Sequence, residues 1–93
     1  MSTHQVSANT HQLDHVLADL APGQSGIVTR LDVEGAERWR LMDLGLIPGT
    51  RVVAEMDSPL GDPTAYRVRG ALIALRKEQA RLIHVKHQDN NEG

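Results

Sequence analysis

Ninety-three residues are enough for one small domain with a single hydrophobic core. The absence of cysteine excludes disulfides, thiolate nucleophiles and thiolate metal sites. The 10 basic and 12 acidic residues leave a net charge of −2, and aromatic residues are only 2% of the chain, which argues against a protein that stacks single-stranded bases. No apolar run is long enough to cross a bilayer and the N-terminus does not have a signal peptide pattern, so a cytoplasmic protein without direct membrane insertion is expected.

The ends of the chain are polar and predict flexible tails over residues 1–12 and 88–93, around one domain from residue 13 to 87. At the start of that domain, apolar residues recur at helical spacing at Leu13, Val16, Leu17 and Leu20. A short N-terminal helix is therefore predicted, and it must end before Pro22 because proline disfavours helical geometry in the residue before it.

Alternating, β-branched segments predict five short strands, at residues 25–33, 48–56, 64–70, 71–75 and 81–87. In the first strand the alternation places Ile27 and Leu31 on one face. In the second strand it places Val52, Ala54 and Met56 together. Five short strands around an aliphatic core predict a mainly β fold, a small closed or half-closed antiparallel barrel.

One helix is predicted between the first two strands, over residues 34–46, because its residues favour helix. Its apolar side is expected to pack on the barrel through Leu41, Leu44 and Leu46. Gly45 suits a left-handed C-cap, and Pro48 and Gly49 suit the following turn. Residues 76–80 allow only a single helical turn, anchored by Leu75 and Ala80.

The segment SPLGDPTAYRVRG contains two glycines and two prolines, which raises the question of a phosphate-binding loop. Gly61 and Gly70 are too far apart for that motif, no Lys-Ser/Thr pair follows, and a strand rather than a helix comes next. Gly61, Asp62 and Pro63 instead predict a turn between antiparallel strands, and Gly70 permits a bend between two strands. Leu60 lies at the tip of this loop, where it either packs inward or contacts a partner.

Histidines are the only soft metal ligands, at His4, His11, His15, His84 and His87. On a continuous helix His11 and His15 would share one face, and Asp14, Asp19 or a second molecule would have to supply a third Zn²⁺ ligand. Two unliganded surface histidines are the simpler interpretation. No cofactor is expected to be required, although these histidines can bind adventitious Zn²⁺ or another divalent metal.

Catalysis has little support, because the serines lie in the tail or in turns and no activated nucleophile is evident. An enzyme is therefore not expected. The C-terminal half contains a basic set that suggests an alternative, a small barrel binding nucleic acid through Arg67, Arg69, Arg76, Lys77 and Arg81. A solvated barrel surface is the simpler interpretation of the same residues.

Trp39 is the largest apolar side chain, and it lies off the leucine stripe of the predicted helix, with Met42 three residues on. It either packs against the edge of the barrel or is exposed for a partner, since tryptophan is enriched at interface hot spots. Partial packing in the core is the simpler interpretation.

Four segments occur in register with short spacings: LADLAPGQSGIV, RLMDLGLIPGT, SPLGDPTAYRVRG and ALRKEQARLIHV. Together they resemble the FeoA family, the small cytosolic component of bacterial ferrous iron transport, over about residues 17–85. The resemblance implies an SH3-like barrel with a helix inserted after the first strand, in agreement with the element pattern. The N-terminal extension with three histidines is longer than the family domain requires.

The resemblance also implies a function. FeoA-like proteins are taken to bind the cytosolic side of FeoB, a membrane permease with a GTPase region, and to support Fe²⁺ uptake without catalysis of their own. Contact is expected through Leu60, Asp62, Trp39 and Met42, in a monomer or weak homodimer. A nucleic-acid-binding barrel and a metal-responsive regulator using His11 and His15 remain the alternatives.

Overall fold

The structure is a computed structural model that describes residues 14–88. Its strands are β1 Asp14–Val16, β2 Ser25–Leu31, β3 Arg51–Asp57, β4 Thr64–Val68, β5 Ala71–Leu75 and β6 Ile83–Gln88. Two helices accompany them, α1 Gly35–Asp43 and α2 Lys77–Ala80, with one 3-10 turn at Leu17–Asp19. The predicted tails lie outside the described residues, apart from Gln88, which is the last residue of β6.

The six strands form one antiparallel sheet in the order β1-β6-β2-β3-β4-β5. The mainly β prediction is confirmed, with six strands rather than five and with a sheet that stays open between β1 and β5. The 3-10 turn after β1 packs against α2 after β5, so these two elements bridge the open side. The buried Tyr66 hydroxyl on β4 donates to the Leu17 carbonyl of the 3-10 turn at 3.3 Å and ties the two sides together.

The predicted N-terminal helix is present only as the single 3-10 turn Leu17–Asp19, and the described residues before it are not helical. Residues 14–16 form β1, which pairs with β6 so that His15 lies opposite Val85. The apolar spacing that suggested a helix serves the 3-10 turn, where Leu17 and Leu20 are three residues apart and both buried. Three residues complete one turn of a 3-10 helix, so this spacing also puts both leucines on one side.

Two β-bulges change which residues face the core. In β2 the register shifts between Val28 and Arg30, so that Val28 and Leu31 are both buried although strict alternation places them on opposite faces. In β3 the register shifts between Ala54 and Met56, and Met56 is 61% exposed rather than buried beside Ala54. An extra residue in one strand reverses the direction of the side chains that follow it.

Helix α1 ends in a Schellman motif. Gly45 has a φ of 102°, its N–H donates to the Met42 carbonyl at 2.9 Å, and the Leu46 N–H donates to the Leu41 carbonyl at 3.2 Å. This turn folds Leu46 back beside Leu41, and both are buried. Leu44 is 43% exposed, contrary to expectation, because it is the C-cap residue at which the chain leaves the helix.

The remaining fold expectations agree with the structure. Pro48 and Gly49 lie in the turn before β3, and Gly49 has a φ of 99°. Leu75, at the end of β5, and Ala80, the last residue of α2, are both buried. Gly70 has a φ of 85° and lies in the turn between β4 and β5.

Candidate docking surface

The outward face of β3, β4 and β5 carries exposed apolar residues. Strand register aligns Met56 of β3, Ala65 of β4 and Ala74 of β5 across this face. The β3–β4 loop adds Ser58, Pro59 and Pro63, and the six residues enclose a cavity of about 280 Å³. We call this cavity the apolar groove, and its walls are almost entirely carbon.

Leu60 is held beside the apolar groove in a well-defined loop. The Ser58 N–H donates to the Pro63 carbonyl at 3.1 Å, and the Gly61 N–H donates to the Ser58 carbonyl at 2.8 Å. Gly61 has a φ of 87°, which lets the chain close this tight loop. Leu60 is 91% exposed, so the loop presents it to solvent and does not pack it inward.

Strand β5 is the edge of the sheet next to the groove. It pairs only with β4 among the described residues, and its sequence ALIAL has neither charge nor proline. Leu72 on its outward face is 55% exposed. Proteins usually protect such an edge with charges or proline, so an uncharged edge strand beside an apolar groove is typical of a surface that pairs with another chain.

The four residues predicted to contact a partner are not equally available. Leu60 and Trp39 are exposed. Trp39 is 68% exposed, so the simpler interpretation from the sequence, partial packing in the core, is wrong. Met42 is partly buried and packs against the core, so only part of its side chain is available to a partner. The Asp62 Oδ1 accepts the Lys77 backbone N–H at 2.7 Å, so this carboxylate holds the loop against α2.

Helix α2 connects the elements that carry Trp39 and Leu60. The Gln79 side chain donates to Glu37 Oε2 on α1 at 3.2 Å, while Asp62 binds the first turn of α2 from the other side. The sequence interpretation found Leu60 but missed the apolar groove, because Met56 and Ala74 join it only through strand register. The charge-free edge sequence ALIAL was the available signal.

The predicted basic face is divided in the structure. Because Thr64 pairs with Leu75 and Val68 pairs with Ala71, Arg76 and Arg69 lie at opposite ends of the β4–β5 pair. The step from Thr64 to Val68 is four residues along the strand, so the two ends of the β4–β5 pair are about 13 Å apart. Arg67 and Arg69 therefore lie apart from Arg76, Lys77 and Arg81, and the nucleic-acid alternative stays a prediction.

The histidines are also arranged differently from the prediction. His15 lies in a strand, so it cannot share a helical face with His11, which itself lies outside the described residues. The His15 ring is 5.8 Å from the His87 ring, and His15 Nδ1 is 3.9 Å from Asp19 Oδ2. Within residues 14–88 no group of three or more His, Cys, Asp or Glu could hold a metal ion. Metal binding at His11 and His15 stays a prediction.

In the part of the chain that the structure describes, no helix has both the length and the apolar character needed to span a bilayer. A family model described as the FeoA domain matches residues 15–87. The chain belongs to the FeoA domain family. This family is associated with ferrous iron transport, and its solved members include an SH3 domain protein.

Three relatives illustrate the likeness. A FeoA protein from Chlorobium tepidum, solved by NMR, is 37% identical with a TM-score of 0.75, over 84% of this chain and 74% of that one. The zinc complex of Stenotrophomonas maltophilia FeoA, a procaryotic SH3 domain protein, is 28% identical with a TM-score of 0.68, over 76% of this chain and 88% of that one. A Porphyromonas gingivalis fusion of Fe(2+) transport protein A with the Fe(2+) transporter FeoB is 29% identical over 81% of this chain and only 9% of the fusion.

Proposed function

We propose that this protein is a non-enzymatic accessory protein that docks on the cytosolic side of a FeoB permease and supports Fe²⁺ uptake through that contact. The observation that carries the proposal is the apolar groove, with the exposed Leu60 beside it and the unprotected edge of β5 alongside. The family match and the fused relative support FeoB as the partner.

The fusion bears on how the contact would form. Joining two modules in one chain gives each a high effective concentration near the other, so even a weak surface is occupied. In the Porphyromonas gingivalis relative the FeoA-like part is a small share of a chain that also contains the transporter. With or without a tether, a FeoA domain that acts through contact needs a surface that meets the transporter.

The apolar groove and Leu60 fit this requirement. Fully burying a leucine side chain contributes about 1.5–3 kcal/mol relative to leaving it exposed. Because the loop backbone is already held by hydrogen bonds, Leu60 loses little additional freedom on binding. Met56 can adapt to an irregular partner surface, and β5 can accept an extended segment of the partner by backbone pairing.

Binding between the full chain and detergent-solubilised FeoB tests the proposal. Leu60→Asp places a charge at the tip of the loop and should weaken binding at least about tenfold, while thermal unfolding stays near the parent value because Leu60 supports no core contact. Ala36→Asp is the matched control, since it adds the same charge at an exposed site in the first turn of α1, where a helix tolerates it. Equal binding by parent and Leu60→Asp would exclude this surface. Trp39→Ala distinguishes the alternative, because loss of binding in that variant alone would place the contact on α1.

A further inference from the structure

A second cavity, of about 450 Å³, lies on the same outward face as the apolar groove but at the opposite end of the strands. Its walls include Arg51 of β3 and Arg67 and Arg69 of β4 and its hairpin, around Val53. We call it the arginine cavity. It shares none of the residues that line the apolar groove.

Strand register explains why three arginines meet here. Val53 pairs with Arg67 and Val52 pairs with Val68, so Arg51 and Arg69, the next residue of each chain segment, both lie at this end of the β3–β4 pair. Like charges directly opposite each other on neighbouring strands repel. The fold therefore concentrates positive charge at this end of the sheet, in a chain whose net charge is −2.

Only one of these charges is balanced within the described residues. Arg67 Nε donates to Glu55 Oε2 at 2.9 Å, in an ion pair that stays half-exposed. Arg51 Nε donates to the neutral side chain of Gln88 at 2.9 Å. None of the carboxylates whose side chains are described pairs with Arg51 or Arg69, so the cavity keeps excess positive charge.

The backbone at Arg69 points to a role for its side chain. Arg69 and Gly70 have φ values of 50° and 85° in the two-residue turn between Val68 and Ala71. Turns of this kind favour asparagine, aspartate or glycine at the first position, and other residues are strained there. The Arg69 side chain lines the cavity, and its Cδ lies 3.5 Å from where a Cβ on Gly45 would be. An arginine in an unfavourable turn position, beside two other arginines, is consistent with a binding role for its side chain.

We propose that the arginine cavity binds the carboxylates of an extended acidic segment on a protein partner. Arg51, Arg67 and Arg69 line one cavity, and alternate side chains of an extended peptide lie on one face about 6.6 Å apart, so acidic residues at alternate positions can present carboxylates to more than one arginine. Guanidinium groups bind carboxylates in a bidentate geometry. The acidic net charge and the two aromatic residues of the chain disfavour nucleic acid as the occupant. This site does not depend on the apolar groove, so either proposal can fail alone.

The test is an NMR titration of the full ¹⁵N-labelled chain with a blocked peptide that has Glu-Thr-Glu-Thr-Glu at its centre. We expect amide shifts at Gly49, Thr50 and Gly70, and an affinity that falls as salt is added. The matched peptide with glutamine in place of glutamate should cause no shifts at these residues. Arg69→Gly removes the guanidinium and suits the positive φ, so it should weaken binding by about tenfold or more without loss of fold. Arg81→Gln removes an exposed arginine outside the cavity and should bind like the parent.

Several results would overturn this proposal. Binding of the glutamine peptide at the same residues would show that charge does not matter. Equal affinity of Arg69→Gly and the parent would exclude Arg69 as a ligand. Inorganic phosphate that shifts the same amides as strongly as the peptide would indicate a small-anion site, and stronger shifts with duplex DNA would restore a nucleic-acid partner.

Discussion

Gly45 shows how one residue sets both the end of a helix and a packing contact. Its φ of 102° is strained for any other residue, and a Cβ there would lie 3.0 Å from Val68 Cγ1. Gly49 has a similar φ of 99° but open space around it. A substitution at Gly49 therefore reports backbone strain alone, whereas a substitution at Gly45 reports backbone strain together with crowding against Val68.

Gly45→Ala should therefore cost more than Gly49→Ala. The backbone term alone is about 1 kcal/mol in each variant, and displacing Val68 adds about 1 kcal/mol or more at position 45. The measurement is the free energy of unfolding in urea for the parent and both variants. If both variants lose the same free energy of unfolding, Val68 moves aside without destabilising the protein, and the close packing described for Gly45 would be wrong.

Single residues also show what could be read from the sequence. Gly45 as a left-handed cap and Leu41 as a buried residue followed from local pattern, because both depend on the helix alone. Met56 did not, since its direction depends on a bulge that only the pairing of β3 with β4 reveals. Leu60 was identified as a loop-tip residue, but its exposure depends on how the loop closes.

At the scale of elements, α2 has four residues and relies on contacts from outside itself. An isolated helix of this length does not form in water, because nucleation is unfavourable. Asp62 accepts the Lys77 N–H and thereby satisfies a backbone donor in the first turn. The β3–β4 loop and α2 are thus one structural unit. The loop around Leu60 is held by the bond from Ser58 to Pro63 and by the bond from Lys77 to Asp62.

Asp62→Ala should destabilise the protein by about 0.5–2 kcal/mol, the range for loss of a capping acceptor. Asp62→Asn keeps a side-chain oxygen at the same position and should lose less. Urea unfolding gives the stability, and amide hydrogen exchange at Lys77 reports the local bond. If exchange at Lys77 is the same in Asp62→Ala and the parent, Asp62 does not cap α2.

Elements were predicted well where the signal is local. Strands with clear alternation, such as β4 and β6, and the single turn of α2 were found from pattern alone. Strand β1 was mistaken for part of a helix because its partner is β6, at the other end of the chain, and long-range pairing overrides local periodicity. The same reason hid the arginine cavity, since Arg51 reaches Arg69 only through sheet register.

For the whole molecule, the outward face of β3, β4 and β5 combines two surfaces of different chemistry. The apolar groove lies at the β3–β4 loop, and the arginine cavity lies at the β4–β5 hairpin. Apolar contacts supply most of the binding energy in protein interfaces, whereas charges steer association and fix orientation. If both proposals hold, one partner that meets this face would be positioned by its acidic segment and retained by the groove.

The central claim is that this protein docks on FeoB through the groove and β5. Amide hydrogen exchange of the full chain, with and without saturating FeoB, tests it most directly. We predict slower exchange in β5, around residues 71–75, and in the loop at residues 58–63, with little change on the exposed side of α1. Protection confined to α1 around Trp39, or no protection at all under conditions in which FeoB transports Fe²⁺, would contradict the account.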